Sequence, residues 1–529
     1  MLLVVVASLA FGCGDDAAPA GQGAVGRGPG PDPVEVTPAL RVDKSSGDRG
    51  FAGHSVTLTG VGFGTTAGEV SWGDSRCVVT FWSPSEVKVY LPDDAAPETR
   101  DLVVSARAQR SAPQRFTVIA PDIVPTSEMN AAWAFMRDRM RHPKGSLAAD
   151  GVYTSLKDKD QPGNLVYLEG HHVTSEHVGL MAWVAAALLD HKTFEETYRF
   201  IVERMLSPRF AVLHWGIDKR TGLPFESEPE PGEAKLVYFN TPFDDFRVVN
   251  AAAAGYARWH DERYLSLALT LGRGLLESSV SDATSVPRYA GGVVGGGFAF
   301  SEETGESAIE TYVIPVNGGD LYPMRWLEAY DPRWTKSREA TVTLMRDALI
   351  AGQFMGTYIP ETNTTAGDWE YVDAPMPEGA RAQKIKTIQS LWTAIHLARA
   401  GVREPAAQSL AYYKQVYLTR GRVAEYMNLD GSEPTEPYFL TTLMGGEARI
   451  YAQLARLAHY LGDTQLEAQV IREKILTDQD MTIGSPRYGY IGKSTADDDD
   501  ADAFNTLEAL LALALQMGSP VVGETLPVP

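Results

Sequence analysis

The stretch HHVTSEHVGLMAWVAAALLD, residues 171–190, joins ionisable side chains to an apolar helix. The residues after 177 are almost all apolar, and they predict a helix that enters a hydrophobic core. Thr174 or Ser175 suits the N-cap, and Glu176 then lies in the first turn, where the helix dipole favours a carboxylate. The pattern is that of an ordinary capped helix, and it is also a way to hold a carboxylate at the edge of a core.

A second helix begins in the same way. In FNTPFDDFRVVNAAAAGYARW, residues 239–259, Asp244 and Asp245 stand at the start of a strongly apolar run, with Arg247 within one turn of both. In a ring of inner helices, such N-termini can converge on one end of the ring. Two carboxylates across a groove are the minimum requirement for glycoside hydrolysis, because one protonates the leaving oxygen and the other activates water or attacks.

The helical pattern extends from about residue 125 to 520, where apolar residues recur at spacings of three and four. It predicts helices at 127–141, 175–190, 193–206, 244–260, 263–279, 320–330, 336–353, 384–400, 404–418, 446–461, 464–475 and 503–516. Long loops separate several of these helices, and long loops in a compact domain are usually functional. Twelve helices with elaborated loops predict an all-α (α/α)6 toroid over residues 125–520. Helix count alone leaves an open helical-repeat solenoid as the alternative.

Residues 35–120 have a period of two instead. Six short β-branched runs alternate with Gly, Pro, Asp and Ser turns, which predicts a small all-β sandwich. The segments GHSVTLTGVGFG, EVSWG, SEVKVYLP and SAPQRFTV resemble the IPT/TIG family of immunoglobulin-like modules. The resemblance implies a spacer or a contact module. Trp72 and Trp82 can either stack on sugars or pack in the core and edge of this domain.

The chain begins with MLLVVVASLAFGCGDD. Its apolar run is too short to span a bilayer, and with Cys13 it resembles a bacterial lipoprotein signal over residues 1–13, in which Cys13 is lipidated. Residues 14–34 are rich in Gly, Ala, Pro and Asp and predict a flexible tether. We therefore expect an exported protein whose lipid anchors it to the membrane of the cell envelope, at the outer membrane or cell surface. A simple secretory signal, giving a periplasmic or secreted protein, is the alternative.

Composition limits the partners. The chain has 47 Lys and Arg against 68 Asp and Glu, a net charge of −21, which argues against a nucleic-acid-binding surface. The histidines have no HExxH spacing, and the glycine-rich runs lack a dinucleotide-binding context, so no metal or other cofactor is expected. Cys77 is the only other cysteine, so a lipidated Cys13 leaves no intramolecular disulfide. We expect a monomer.

The helical part contains, in order, TSEHVGLMAWVAAALLD, PFDDFRVVNA, KTIQSLWTAIHLARAG, ARIYAQLARLAHYLGD, and finally GSPRYGYIG with ADAFNTLEALLALAL. These segments resemble glycoside hydrolase family 8, especially its branch associated with bacterial exopolysaccharides, over residues 170 to 516. The resemblance implies an (α/α)6 barrel without a cofactor. It also implies hydrolysis of a β-1,4-linked polysaccharide, such as an exopolysaccharide, glucan, chitosan or xylan, with endo action and inversion at the anomeric carbon.

The resemblance also implies roles for single residues. Glu176 would be the general acid, which needs a raised pKa to hold its proton near neutral pH. Asp244 or Asp245 would bind the sugar beside the scissile bond; the motif leaves open which of the two. Arg247 would hold that carboxylate. His177 stands where a glycine is usual in the family.

The general base stays open. Asp320, in VNGGDLYPMRW, is one candidate, at a junction between a loop and a helix. In the family an acid is expected near the helix that reads KTIQSL here, where this chain has Gln389. A protein that has kept the barrel but lost the base would be a non-catalytic glycan-binding or polysaccharide-assembly lipoprotein. Another (α/α)6 chemistry, such as a polysaccharide lyase, is the third possibility.

Sugar rings pack against flat side chains, so aromatic residues in the long loops are candidates for substrate binding. Together with two charged or ionisable neighbours of the acids, the substrate-binding candidates are Arg247, His177, Trp215, Tyr238, Tyr322, Trp326 and Tyr488.

Overall fold

Strands form the chain up to residue 118, and helices dominate after it. The structure, a computed structural model, describes residues 38–156, 171–226, 238–281, 286–289, 292–309, 313–368, 383–436, 448–492 and 501–523. The predicted signal, the lipidation site Cys13 and the tether 14–34 lie outside the described residues.

The N-terminal strands form two sheets packed face to face. They are β1 Arg41–Ser45, β2 Arg49–Gly50, β3 Ser55–Val61, β4 Glu69–Trp72, β5 Ser75–Arg76, β6 Val78–Trp82, β7 Glu86–Tyr90, β8 Thr99–Ala106, β9 Gln109–Arg110 and β10 Gln114–Val118. One sheet has the order β1-β3-β7-β6 and the other β2-β10-β8-β4-β5, with β9 on β8. Alternate residues of β3, β4 and β8 face the shared core, as the period of two predicts.

The two tryptophans of this sandwich have structural partners. Trp72 is buried in the core, and its indole N–H donates to the Phe116 carbonyl at 3.1 Å. Trp82 is half-buried at an edge, and it donates to the Gly64 carbonyl at 3.1 Å. Of the two readings of this pair, the structure therefore favours packing over sugar stacking.

Twelve α-helices follow in the described residues, at the positions that the sequence pattern predicts. They are α1 Ser127–Arg139, α2 Ser175–Ala187, α3 His191–Phe200, α4 Pro242–Trp259, α5 Glu262–Ser278, α6 Leu321–Leu327, α7 Arg333–Asp347, α8 Thr387–Arg399, α9 Arg403–Arg420, α10 Ala448–Leu461, α11 Thr464–Val470 and α12 Ala503–Gln516. Single π-type turns extend α3 and α11.

The even-numbered helices form a closed inner ring. Each packs on the next in chain order, and α12 packs on α2 to complete the ring. The odd-numbered helices pack outside, each against an inner neighbour, with α1 lying on α12. The predicted (α/α)6 toroid is thus confirmed, and the closed ring excludes the open solenoid.

Short strands occupy the connections between the helices. They are β11 Val173–Thr174, β12 Gly216–Ile217, β13 Tyr238–Asn240, β14 Phe298–Phe300, β15 Ser307–Ile309, β16 Ile314–Pro315, β17 Leu349–Ile350, β18 Gln353–Phe354, β19 Thr357–Ile359, β20 Thr364–Ala366, β21 Lys384–Lys386 and β22 Tyr426–Asn428. Two pairs, β11 with β12 and β21 with β22, stand directly before inner helices α2 and α8. They fix the entry of these two helices into the ring.

Inner helices are apolar on all sides because neighbours surround them. In α2 every residue except Glu176 is buried, and in α12 every residue except the last is buried. A helix that is apolar all round belongs in the core of a large protein or in a membrane. Within the described part of the chain, no helix has the length and apolar character needed to cross a bilayer.

Gly179 allows α2 and α4 to approach closely. A Cβ atom at this position would lie 3.1 Å from Val248 Cγ2 and 3.2 Å from Arg247 Cβ. We expect Gly179→Val to lower the free energy of unfolding by roughly 2–3 kcal/mol, since extra atoms in a close-packed contact force the helices apart. Urea unfolding measures this change. An unaltered midpoint would contradict the close approach, and Lys192→Val, on the exposed surface of α3, is the control with a change below about 0.5 kcal/mol.

The sandwich packs against the outer surface of the barrel. Tyr90 at the end of β7 hydrogen-bonds Asp261, the N-cap of α5. His191 Nδ1 lies 2.7 Å from Asp93 Oδ1, and the Trp259 indole donates to the Ala52 carbonyl at 3.2 Å. These contacts join the two folds into one compact unit over residues 40–529.

Candidate active site

Three charged side chains meet where α2 and α4 begin. Arg247, in the second turn of α4, forms an ion pair with Glu176 in the first turn of α2. The Arg247 guanidinium also lies 3.6 Å from Asp244 Oδ1, and the Ser175 hydroxyl donates to Asp244 Oδ2 at 2.9 Å. Asp244 is buried, whereas the Glu176 side chain keeps 29% of its surface exposed. Glu176 is therefore the member of this cluster that a ligand can reach.

Side chains of α4 itself, of α8 and of α12 hold Arg247 in place. Its guanidinium lies 4.3 Å from the Phe243 ring centroid, 5.1 Å from that of Trp392 and 5.2 Å from that of Phe504. Its Nη2 donates to Glu508 of α12 at 3.4 Å. The sequence reasoning missed Glu508, although a single carboxylate in the apolar run NTLEALLALAL was a signal, because buried charges need partners.

The pKa values of the two neighbouring acids, Asp244 and Glu176, are shifted in opposite directions. Burial and the charge of Glu176 raise the pKa of Asp244 to about 7, against the opposing effects of Arg247 and Ser175. Burial alone would raise the pKa of Glu176, but the charges of Arg247 and His177 bring it below its ordinary value. The expected raised pKa thus falls on Asp244 in the free protein and not on Glu176, because Arg247 contacts Glu176 more closely.

This difference predicts a pH dependence of stability. Unfolded Asp244 titrates near 3.8 and folded Asp244 near 7, so its stabilising effect is complete below pH 3.8 and lost as the pH rises to about 7. Asn does not titrate, so the Asp244→Asn variant should not lose this stability. As the pH rises from 4 to 7, we expect its unfolding free energy to increase relative to that of the native chain by at least about 1 kcal/mol. Urea unfolding at several pH values measures the difference. A difference that does not change between pH 4 and pH 7 would contradict the assignment.

Asp245 does not join the cluster, although its neighbour does. Its carboxylate is buried and accepts from the Asn240 amide at 3.0 Å and from the Leu213 N–H at 3.3 Å. Burial raises its pKa well above the ordinary value. Of the two acids that the motif left open, Asp244 is the one beside Glu176, and Asp245 anchors the loops behind it.

Asp320 lies deeper in the barrel than a groove residue would. It is the N-cap of α6, is buried, and accepts from Asn250 at 2.9 Å and from Arg399 at 3.4 Å. Burial would raise its pKa, but the charges of His396 and Arg399 hold it far below the usual range. No hydrogen bond or ion pair of the described residues joins Asp320 to Glu176. Its partners make it part of the inner charge network.

An acid does lie beside Gln389. The Gln389 amide donates to Asp368 Oδ1 at 3.3 Å, and the Tyr426 hydroxyl donates to Asp368 Oδ2 at 3.1 Å. Gln389 is in the first turn of α8, which stands opposite α2 in the inner ring. Asp368 comes from the loop before α8, so spacing along the sequence could not have shown that its carboxylate lies beside Gln389.

The remaining candidates divide by burial. His177, Trp215 and Tyr238 lie around the start of α2: the Trp215 carbonyl accepts from the Ser175 N–H at 2.9 Å, and the Tyr238 hydroxyl donates to Glu226 at 3.1 Å. His177 is buried beside Thr174, and burial lowers its pKa.

Three aromatic candidates lie elsewhere. Tyr322 and Trp326 are buried side chains of α6, so they contribute to the core and do not form an open sugar-binding surface. Tyr488 is 39% exposed, on the segment between α11 and α12, and no described contact joins it to the Glu176 cluster. Its exposed side chain is therefore the single feature that would allow Tyr488 to bind a sugar.

Phe243 and Trp392 lie beside the arginine that pairs with Glu176. Their ring centroids are 4.8 Å apart, both side chains are half-buried, and both contact Arg247. They provide an apolar aromatic surface next to this arginine. Among the described residues, no group of three or more His, Cys, Asp or Glu side chains is arranged to hold a metal ion.

The sequence of the β1–β10 sandwich matches a known domain family. Residues 41–118 match the sequence model of the IPT/TIG domain. Residues 41–118 are an IPT/TIG domain. The resemblance of this segment to IPT/TIG modules is thereby confirmed, and the IPT/TIG domain is the part of the chain whose family its sequence shows. No curated protein is significantly similar to the whole chain in sequence.

The helical part has structural neighbours. A novel alpha-amylase from Clostridium perfringens is similar with a TM-score of 0.55 and 19% identity, over 74% of this chain and 99% of that one. A cold-adapted family 8 xylanase gives 0.49 and 10%, over 76% and 94%, and the family 8 endoglucanase Cel10 from Klebsiella pneumoniae gives 0.44 and 14%, over 73% and 99%. At these identities the likeness concerns the fold, and the last two TM-scores carry no functional argument.

Proposed function

We propose that the protein is a glycoside hydrolase that cleaves a polysaccharide at the open end of its barrel, with Glu176 as general acid. The observation that carries this proposal is the cluster at the start of α2 and α4. There the partly exposed carboxylate of Glu176 lies beside a buried carboxylate of raised pKa and a fixed arginine. The tilted pair Phe243 and Trp392 supplies an aromatic surface for a sugar ring next to the acid.

The proposed proton transfer starts from the opposite pKa shifts of the two acids. In the free protein Asp244 binds a proton more readily than Glu176 does. A sugar on the Phe243 and Trp392 surface excludes water from Glu176, and this loss of hydration raises the pKa of Glu176. Glu176 then takes up a proton and donates it to the leaving glycosidic oxygen. Asp244, ionised in exchange, lies beside the sugar where positive charge develops.

Asp368 is the general base of this proposal. An inverting hydrolase places the base roughly 6.5–9.5 Å from the acid, with the attacking water between them. Asp368 approaches the ring from the α8 side, opposite α2, and Gln389 and Tyr426 orient its carboxylate. Asp320 is the other candidate, and its pairing with Arg399, whose charge makes the carboxylate a poorer proton acceptor, argues against the role of general base.

Two variants separate the candidate bases. Asp368→Asn should reduce turnover by about a thousandfold if Asp368 activates the water. An added small nucleophile such as azide should restore cleavage in this variant with inverted stereochemistry, a rescue that lost structure would not show. If Asp320→Asn shows the azide rescue and Asp368→Asn keeps full turnover, the assignment is reversed.

The proposed function includes a class of substrate. We propose a β-1,4-linked polysaccharide of the exopolysaccharide, glucan, chitosan or xylan type, cut within the chain. The structural similarity to the alpha-amylase from Clostridium perfringens makes an α-linked glucan the second candidate. Product analysis against β-1,4-glucan, chitosan, xylan and starch tests both, and it reports the stereochemistry of the new reducing end. Glycan binding without any reducing-end release would favour the non-catalytic alternative, and products with a new double bond would indicate a lyase.

We propose in addition that Cys13 carries lipid and anchors an exported monomer to the cell envelope. The apolar run before Cys13 and the Gly- and Pro-rich segment after it support this proposal. Cys13→Ser should release the protein from the membrane fraction after expression in a bacterium. An unchanged membrane fraction would contradict lipid anchoring.

A further inference from the structure

A small cavity lies on the axis of the inner ring, on the inner side of the Phe243 and Trp392 surface. Side chains from α2, α4, α8, α10 and α12 line it, together with Asp320 at the start of α6, so the whole ring contributes to its wall. Its volume of about 20 Å³ suffices for one water molecule or one monatomic ion. The cavity is not part of the acid cluster that faces the ligand.

Three arginines and two carboxylates line the cavity. They are Arg247, Arg399 and Arg456, with Asp320 and Glu508. Glu508 accepts from Arg247 at 3.4 Å and from Arg456 at 2.7 Å, and Asp320 accepts from Arg399 at 3.4 Å. Arg247 also forms an ion pair with Glu176, so the case for a ligand depends on the hydrogen bonds that these arginines leave unmade.

The arginines also have unused hydrogen-bond donors. Arg399 Nε and Nη2 and Arg456 Nε are buried without a hydrogen-bond partner among the described residues. Both side chains are only 4% exposed, so bulk water does not reach these donors. A buried N–H that finds no acceptor costs roughly 1–3 kcal/mol, more when it is charged. The unsatisfied donors call for an acceptor inside the cavity.

Aromatic rings fix these guanidinium groups in place. Arg399 lies 4.1 Å from the Tyr322 ring centroid and 5.3 Å from that of Trp183, and Arg456 lies 5.5 Å from that of Trp183. The donors cannot turn away to find partners elsewhere. Three of these donors are unpaired, and a water molecule accepts at most two hydrogen bonds, whereas a monatomic anion accepts from all three.

We propose that this cavity is a binding site for a monatomic anion, with chloride as the natural ligand, held by Arg399 and Arg456 in the middle of the barrel. The site shares Arg247, Phe243 and Trp392 with the proposed active site, but it would exist whether or not the protein cleaves glycans. Its role is to accept from the buried donors of Arg399 and Arg456 that have no other partner among the described residues. Larger anions such as sulfate or phosphate do not fit the cavity.

Bromide replaces chloride and can be located directly. Crystals of the full protein grown without halide and then soaked in sodium bromide should give an anomalous bromine peak inside the cavity, in contact with Arg399 and Arg456. A cavity without a bromine peak, or with peaks confined to surface residues, would overturn the proposal. This test uses the native chain and does not depend on whether any variant folds.

Two substitutions should change the effect of chloride on thermal unfolding in opposite directions. For the native chain, sodium chloride should raise the midpoint of thermal unfolding in a saturable way by a few degrees over sodium methanesulfonate at equal ionic strength. Arg399→Gln should remove this halide-specific rise, whereas Glu508→Gln, which takes a competing negative charge out of the wall, should reach saturation at an at least tenfold lower chloride concentration. Equal responses to the two salts in the native chain, or the same halide response in both variants, would contradict a chloride site.

Discussion

Glu176→Gln is expected to reduce turnover of a susceptible glycan by about a thousandfold while leaving the fold intact. The amide keeps the shape of the side chain and can still accept from Arg247, but it cannot deliver a proton to the leaving oxygen. The effect should fall on kcat, because the Phe243 and Trp392 surface that binds the sugar is unchanged. Initial rates with a glycan bearing a poor leaving group measure the change.

The leaving group gives a control that a merely structural role would not reproduce. A substrate with an activated aryl leaving group needs little protonation, so Glu176→Gln should lose much less activity on it than on the natural glycan. Glu361→Gln, at an exposed position away from the barrel axis, should behave like the native protein on both substrates. Full activity of Glu176→Gln on the natural glycan would remove Glu176 from the mechanism.

Arg247→Met is expected to lower the free energy of unfolding by about 3–5 kcal/mol, which is the usual cost of breaking a buried ion pair by removing one partner. Methionine fills most of the volume between Phe243 and Trp392, so packing alone does not explain such a loss. The loss comes from Glu176, Asp244 and Glu508, which all face Arg247 and would remain buried or half-buried without its charge. Urea unfolding at neutral pH measures it.

The same substitution predicts how the loss depends on pH. Without Arg247 the three carboxylates bind protons more readily, so the variant should recover part of its stability as the pH is lowered towards 5. Arg204→Met, at an exposed position after α3, should change the unfolding free energy by less than about 0.5 kcal/mol at any pH. A loss in Arg247→Met no greater than that of Arg204→Met would show that the cluster is held together by packing and not by charge.

The arrangement of the helices could be predicted because it depends on local pattern. The spacing of apolar residues predicts all twelve helices, and short connections between successive helices imply hairpins that alternate between an inner and an outer layer. Closure of the ring could not be predicted in this way. It depends on packing of α12 against α2, and these two helices are more than 300 residues apart in sequence.

Part of the acid cluster could also be predicted, because its residues belong to local sequence patterns. Glu176, Asp244 and Arg247 belong to helix starts that are visible in the sequence, and they do meet. The choice between Asp244 and Asp245 depends on which carboxylate points into the ring, and that follows from the bonds of Asp245 to Asn240 and Leu213. Sequence spacing does not determine such orientations.

The expectations from sequence that the structure corrects are those that depend on burial and on contacts between distant parts of the chain. Tyr322 and Trp326 belong to a helix that carries few polar residues, and the sequence did not show that the short α6 is buried. Asp368 reaches Gln389 from a separate loop, a contact that no period along the chain describes. The lowered pKa of Glu176 depends on how close Arg247 comes, and so on the approach of two helices at Gly179.

The position of α12 bears on the order in which the molecule assembles during synthesis. This helix is the last of the twelve to leave the ribosome, yet it forms the wall between α2 and α10 and carries Glu508, the partner of both Arg247 and Arg456. Until α12 arrives, the nascent barrel is an open arc in which Arg456 lacks its carboxylate partner and Arg247 lacks one of its three. The apolar flank of α2 is exposed over the same period. A protein built in this way depends on protection of the open arc from aggregation until its final helix is in place.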